Sequence, residues 1–156
     1  MTARRMPALA ALVLAGGLLS GCSLLDSLSG PAIPEGETDA FAIQVGDCLN
    51  DAEVGSEVTS VPLVDCAEPH DSEVYARGES AAPAFPGFDA LDDELAEFCQ
   101  GEAFTEFIGI PYTESRLQTS GYFPSQESWA DGDRELLCTV WDEDGRVSGS
   151  LRGSAE

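Results

Sequence analysis

The sequence predicts an α+β fold: a small disulfide-stapled domain with an antiparallel sheet, one main helix and a C-terminal β-hairpin. Three observations predict it. Leu91, Leu95 and Phe98 recur at helical spacing, with Cys99 beside them. Leu136, Cys138 and Val140 alternate with Leu137, Thr139 and Trp141, the pattern of a strand with two apolar faces. Cys48, Cys66, Cys99 and Cys138 form an even set within the same stretch.

Taken in chain order, Phe41 to Val45 reads as a short strand leading into a turn at Gly46-Asp47. Val58 to Cys66 and Ser72 to Arg77 read as strands separated by Pro69, and Pro62 points to a sheet edge for the first of them. Gly78 to Gly87, rich in Ala and Pro, is a loop. Asp89 has the chemistry of a helix N-cap, and Asp92, Asp93 and Glu94 favour the positive end of the helix dipole. Phe104, Phe107 and Ile108 continue the apolar face past Gly101 and read as core. Leu117, Thr119, Gly121 and Phe123 alternate as a strand, and Ser125 to Ala130 forms a helical turn carrying Trp129. Asp142-Glu143-Asp144-Gly145 is a turn after which Val147, Gly149 and Leu151 supply the returning hairpin strand, with Cys138 facing inward toward Cys99.

The first residues are an address. Arg4 and Arg5 give a positive start, Met6 to Leu19 is apolar, and small residues lead into a cysteine. This is a secretory signal, too short to span a bilayer as a helix. Its end, Leu19-Ser20-Gly21-Cys22, resembles the bacterial lipobox. The resemblance implies cleavage before Cys22 and lipidation of its thiol, with palmitate among the acyl groups. The expected organisation is a signal at 1–21, a lipidated N-terminus and flexible tether at 22–40, a domain at 41–153 and a tail at 154–156. As a coil the tether reaches roughly 20–25 Å.

Cleavage removes Arg4 and Arg5 and none of the 29 acids, leaving five cations, no lysine and a formal charge of −24. Nucleic-acid phosphate and anionic headgroups are both recognised by Lys and Arg, so neither is an expected ligand of this surface. A lipid anchor would do the membrane attachment instead. Outside the cytoplasm the four remaining cysteines favour disulfides. Three pairings are possible; Cys48–Cys66 with Cys99–Cys138 is favoured because it staples each half of the domain separately. By loop-closure entropy these bonds contribute about 3 and 4 kcal/mol. No Cys-x-x-Cys pair occurs and His70 is the only histidine, so no metal site and no cofactor are expected.

Candidate chemistry is sparse. There is no Gly-x-Ser-x-Gly elbow, and a phosphate-binding loop would lack its lysine. His70, flanked by Glu68, Asp71 and Glu73, could serve as a base or ligand, but its ordinary role is a hydrogen bond that fixes the turn after Cys66. Asp131-Gly132-Asp133 and Asp142 to Gly145 do not continue into a twelve-residue calcium loop.

Several stretches together resemble a known family. They are Val45-Gly46-Asp47-Cys48-Leu49, Val64-Asp65-Cys66-Ala67-Glu68-Pro69-His70-Asp71-Ser72-Glu73-Val74, Cys99 with Phe104, and Pro124 through Trp129 to Gly132-Asp133-Arg134 and Cys138, closed by Gly149 to Gly153. This pattern is similar to the actinobacterial septum formation domain, an extracytoplasmic module held by a transmembrane helix or a lipid. The resemblance singles out Gly46, Asp47, Pro69, His70, Glu73, Trp129, Gly132, Asp133 and Arg134 as motif residues and implies no catalytic ones. The expected function is therefore a non-enzymatic interaction lipoprotein on the outer face of the cell membrane, linked to septum formation or wall assembly. Its expected partners are the bilayer, through acylated Cys22, and an envelope protein or cell-wall component. The alternatives are a small hydrolase using His70 with an acid, and an acidic cation-binding or ligand-binding lipoprotein.

Overall fold

A computed structural model describes residues 33, 35–55 and 58–156. The lipobox residues Leu19, Ser20, Gly21 and Cys22 and the tether up to residue 32 lie outside the described residues. Among the described residues six strands form one antiparallel sheet: β1 (Glu37–Asp39), β2 (Cys48–Leu49), β3 (Ser60–Val64), β4 (Ser72–Glu79), β5 (Gln118–Tyr122) and β6 (Glu135–Trp141). Their spatial order is β1-β3-β2-β4-β6-β5. Three α-helices accompany them among the same residues: α1 (Phe88–Cys99), α2 (Glu102–Ile108) and α3 (Gln126–Ala130). The fold is thus the small, disulfide-bearing α+β domain that the sequence predicts.

Alternation along β6 builds two cores, one on each face of the sheet. Leu136, Cys138 and Val140 pack with Leu95, Cys99, Phe104, Phe107 and Ile108 from α1 and α2. Leu137 on the opposite face joins Ile43, Leu49, Val61 and Val74. Cys99 is bonded to Cys138, tying α1 to β6, and Cys48 to Cys66. A bulge between Val74 and Ala76 leaves Tyr75 unpaired in the ladder with β6. Two consecutive residues, Tyr75 and Ala76, consequently join the helix-side core. The Tyr75 hydroxyl donates to the Cys99 carbonyl, and burial pushes its pKa upward.

Five local expectations are corrected. Phe41 to Val45 is not a strand: Asp39 caps a 3-10 turn at Ala40–Ala42, and the Asp47 carboxylate accepts the Gln44 N–H at 2.8 Å. Only Ile43 of that stretch is buried. Pro62 is not on an edge strand, because β3 lies between β1 and β2. Its missing N–H faces Asn50 just past the two-residue β2, where only one bond of the pair is made, from Asn50 N–H to Pro62 O at 3.0 Å. Helix α1 is preceded by Gly87, at φ 98°, while Asp89 sits in its first turn, where a negative charge still suits the dipole.

The C-terminal antiparallel pair is β5 with β6, joined through α3. Val147 to Leu151 does not return along β6, whose two edges are already taken by β4 and β5. It crosses to the 65–71 loop, where Val147 and His70 exchange backbone hydrogen bonds of 2.9 and 3.1 Å and Gly149 N–H reaches the Cys66 carbonyl. Finally, the ordered chain overruns the expected domain limits. β1 pairs with β3 from within the stretch expected as tether, and Ala155 N–H bonds to the Ile108 carbonyl in the stretch expected as tail.

Candidate functional site

The motif residues gather at two places. At the first, the turn before β2 places Gly46, with φ 100°, and Asp47 against β4. Gly46 N–H donates to Val74 O at 2.7 Å, and Val74 N–H donates to Asp47 O at 2.8 Å. Pro69 is exposed, but His70 beside it has no solvent-accessible surface. Its Nδ1 lies 2.9 Å from the Glu68 carbonyl, which has no proton to give, so Nδ1 carries the hydrogen. Its Nε2 is buried with no protein partner among the described residues.

Glu73 is also buried, and its two oxygens are both used. One accepts the Ser150 hydroxyl and the other the Leu151 N–H, each at 2.6 Å. This carboxylate holds the C-terminal segment onto β4 across 77 and 78 residues of sequence. The Cys48–Cys66 sulfurs lie within 4.8 Å of it. Both are committed to the disulfide, so the three groups do not present a ligand set for a metal.

At the second place, Gly132 adopts φ 102° just past α3. Arg134 then folds back so that its guanidinium lies 3.7 Å from the Trp129 ring centroid and donates to the Trp129 carbonyl at 2.9 Å. Asp133 caps the entry to β6 by accepting the Glu135 N–H at 2.9 Å. Phe85 packs edge-on against the buried indole at 5.8 Å. The two clusters do not converge on a common pocket. Each closes a chain reversal, and a motif residue there is spent on internal contacts.

Three polar networks were not legible as sites. Asp51 accepts the Ser72 hydroxyl at 2.8 Å and the Tyr122 hydroxyl at 2.7 Å, and burial, before the Asp51 contact, drives the Tyr122 pKa upward. Arg116 bonds Asp142 at 2.6 Å and also pairs with Glu156, which holds the chain end. Arg146 bonds Asp71 at 2.7 Å. No periodicity links these partners; the sheet order brings Asp51, Ser72 and Tyr122 together and sets Arg116 beside Asp142, while the crossing of the C-terminal segment adds Glu156 and Arg146.

Two cavities open among the described residues. One of about 200 Å³ lies beside Asp51, Ser120, Tyr122 and Thr139. The other, about 550 Å³, runs between β4 and α2 past Val45, Arg77, Phe98, Phe107 and Arg152. His70 lines neither.

This geometry defines a small two-cored α+β domain, stapled twice and braced at its reversals by a fixed set of polar and aromatic residues. The model of a family described as septum formation matches residues 45–155, and the chain belongs to that family. No curated protein and no solved structure matches the chain. Membership supports a role related to cell division or the cell envelope and points to an extracytoplasmic location. Among the described residues no helix is long and apolar enough to cross a membrane.

Proposed function

We propose that the protein is a lipid-anchored, non-enzymatic interaction module of the cell envelope, serving septum formation or wall assembly. One observation carries the reading. The groups best suited to chemistry are closed to a substrate: His70 has no solvent access, and Glu73 is saturated by Ser150 and Leu151. A general base must reach the proton it removes, directly or through one water. Leu19-Ser20-Gly21-Cys22 supports the anchor, and two disulfides suit a domain that works outside the cytoplasm.

The experiment is crosslinking in intact membranes followed by purification of the full chain across growth stages. A partner protein or wall fragment that co-purifies reproducibly is the expected result. Recovery of the uncrosslinked chain alone at every stage overturns the interaction reading. The anchor is tested separately: labelled palmitate enters the wild-type chain, and Cys22→Ala abolishes both the label and membrane retention. An envelope hydrolase activity lost in His70→Ala, with the fold intact, would replace this reading by the enzymatic one.

A further inference from the structure

The larger cavity coincides with an unfinished edge of the sheet. β2 supplies only Cys48 and Leu49 against Glu73 and Ser72, and the turn before it extends the pairing to Val74. β4 runs on to Glu79. No described residue makes a backbone hydrogen bond to that continuation on the side away from β6. The ladder sets which groups are left over. Ser80 N–H donates to Arg134 O at 2.8 Å, so bonding toward β6 falls on alternate residues, and Arg77 and Glu79 direct their N–H and C=O to the open side.

What borders this edge is not plain solvent. Val45 stands at one end, Phe98 and Phe107 form an aromatic wall, and Arg152 lies across the Phe107 ring with its guanidinium carbon 4.3 Å from the centroid. The arginines differ in a telling way. Arg77, Arg116 and Arg146 each pair with an acid, and Arg134 is used by Trp129 and its carbonyl. Arg152 has no ion pair and no side-chain hydrogen bond among the described residues, although the chain carries 29 acids. Glu106 shares the rim without coming within ion-pair distance of it.

We propose that this groove is a strand-addition site: an extended peptide of a partner protein pairs with Arg77 and Glu79 along β4, sets apolar side chains against Phe98 and Phe107, and presents a carboxylate to Arg152. The proposal rests on reading the domain as an interaction module and names the surface and the chemistry of its ligand. Main-chain bonds to an exposed edge supply affinity, while alternate side chains in flanking pockets supply selectivity. Such edges also invite unwanted pairing, and charged residues are the usual protection. Arg77, Glu79, Glu106 and Arg152 therefore screen the edge against arbitrary strands while leaving one cation for the right one.

The test uses the purified full-length chain, oxidised, and a random octapeptide library. Selected peptides are expected to alternate apolar residues and to carry an Asp, a Glu or a C-terminal carboxylate. Their binding slows amide exchange at Arg77 and Glu79, and Arg152→Glu weakens it by about ten-fold or more, the loss of one charge-assisted contact. The exposed substitution Glu143→Gln leaves binding unchanged. No selection, selected peptides that leave those two amides unprotected, or insensitivity to Arg152→Glu overturns the proposal. So does a concentration-dependent dimer that protects the same amides, which would make a second copy the occupant. The broader reading fails differently. A membrane partner that crosslinks through another face sinks the groove and leaves the interaction module standing.

Discussion

Replacing Cys99 and Cys138 together by alanine is the most informative single perturbation of this fold. The bond closes a stretch with a sequence separation of 39, against 18 for Cys48–Cys66. Loop-closure entropy gives about 4 kcal/mol for the longer loop and about 3 kcal/mol for the shorter. Packing widens the gap. Cys99 and Cys138 are 1% and 0% exposed within the helix-side core, so two sulfurs are lost from close-packed surroundings, each worth about 0.8 kcal/mol of burial. Cys66 is only half buried, and its loss leaves less of a void. The double variant should therefore lose about 5.6 kcal/mol, a large share of the roughly 5–15 kcal/mol that stabilises a domain. Urea unfolding followed by fluorescence of the buried Trp129 and half-buried Trp141 reads the change. At a slope of about 2 kcal/mol per molar, the midpoint falls by about 2.8 M. If Cys48→Ala with Cys66→Ala costs more than the Cys99 and Cys138 pair, or if the latter costs under about 1 kcal/mol, loop length and burial do not govern the staples.

Three further outcomes follow from single contacts. A Cβ on Gly121 would collide with the Leu137 carbonyl oxygen in the β5–β6 ladder, whereas one on Gly55 meets nothing within 4 Å. Gly121→Ala should cost about 1–3 kcal/mol in a thermal melt, and equal melting of Gly121→Ala and Gly55→Ala would refute the close approach. Glu73→Ala strips the partners from the Leu151 N–H and the Ser150 hydroxyl, so stability drops by about 2–3 kcal/mol and amide exchange at Leu151 accelerates; unchanged exchange would show that Glu73 does not hold the segment. The pH profile has two opposed arms. Burial, more than any neighbour, holds Glu135 above its ordinary 4.5, so its ionisation costs stability at neutral pH and the cost is relieved as pH falls through the raised value. The Arg116 hydrogen bond, aided by the Asp144 N–H, holds Asp142 below its ordinary 3.8, so its contribution is full above 3.8 and lost as pH falls through the depressed value. Glu135→Gln should flatten the first arm and Arg116→Ala the second in unfolding measured across pH 2.5–7, a window set by those two directions; profiles that match wild type would contradict the assignment.

What was legible in the sequence was what is local. Leu91, Leu95 and Phe98 announce α1, and the alternation through Val140 announces β6, because a side chain's face is fixed by its neighbours' spacing. The fate of Val147 to Leu151 was not legible. Its alternation is a good strand pattern, and only the sheet order, with β5 and β4 already beside β6, denies it a place there. The bulge at Tyr75 was equally hidden, since it shifts the face of every later residue of β4 without marking the sequence. Gly87 displaced Asp89 as the residue before α1 because its positive φ turns the chain into the helix. At the site, Glu73 and His70 stood out by residue type, but their burial depends on a segment more than seventy residues away. The signal that could have exposed Glu73 is its place in β4 one residue from Val74, where an acid buried beside a strand needs a donor from elsewhere.

The charge of this domain constrains how any ligand reaches it. Beyond Arg4 and Arg5, five arginines face 29 acids, and Arg116 and Arg146 are spent on clamping distant parts of the chain together. An approaching peptide that carries a carboxylate is therefore repelled at long range and attracted only within the groove, at Arg152 and the open backbone of β4. Screening shortens the repulsion, since the Debye length falls from about 30 Å at 0.01 M salt to about 8 Å at 0.15 M. The short contact to Arg152 over Phe107 is much less affected, because it is made at van der Waals range on an aromatic face. Association of an acidic strand-adding peptide should accordingly speed up as salt rises from 0.01 to 0.15 M, with dissociation nearly constant. A cationic ligand drawn to the acidic surface would do the opposite, and stopped-flow binding that slows with added salt would move recognition from the groove to the carboxylates around it.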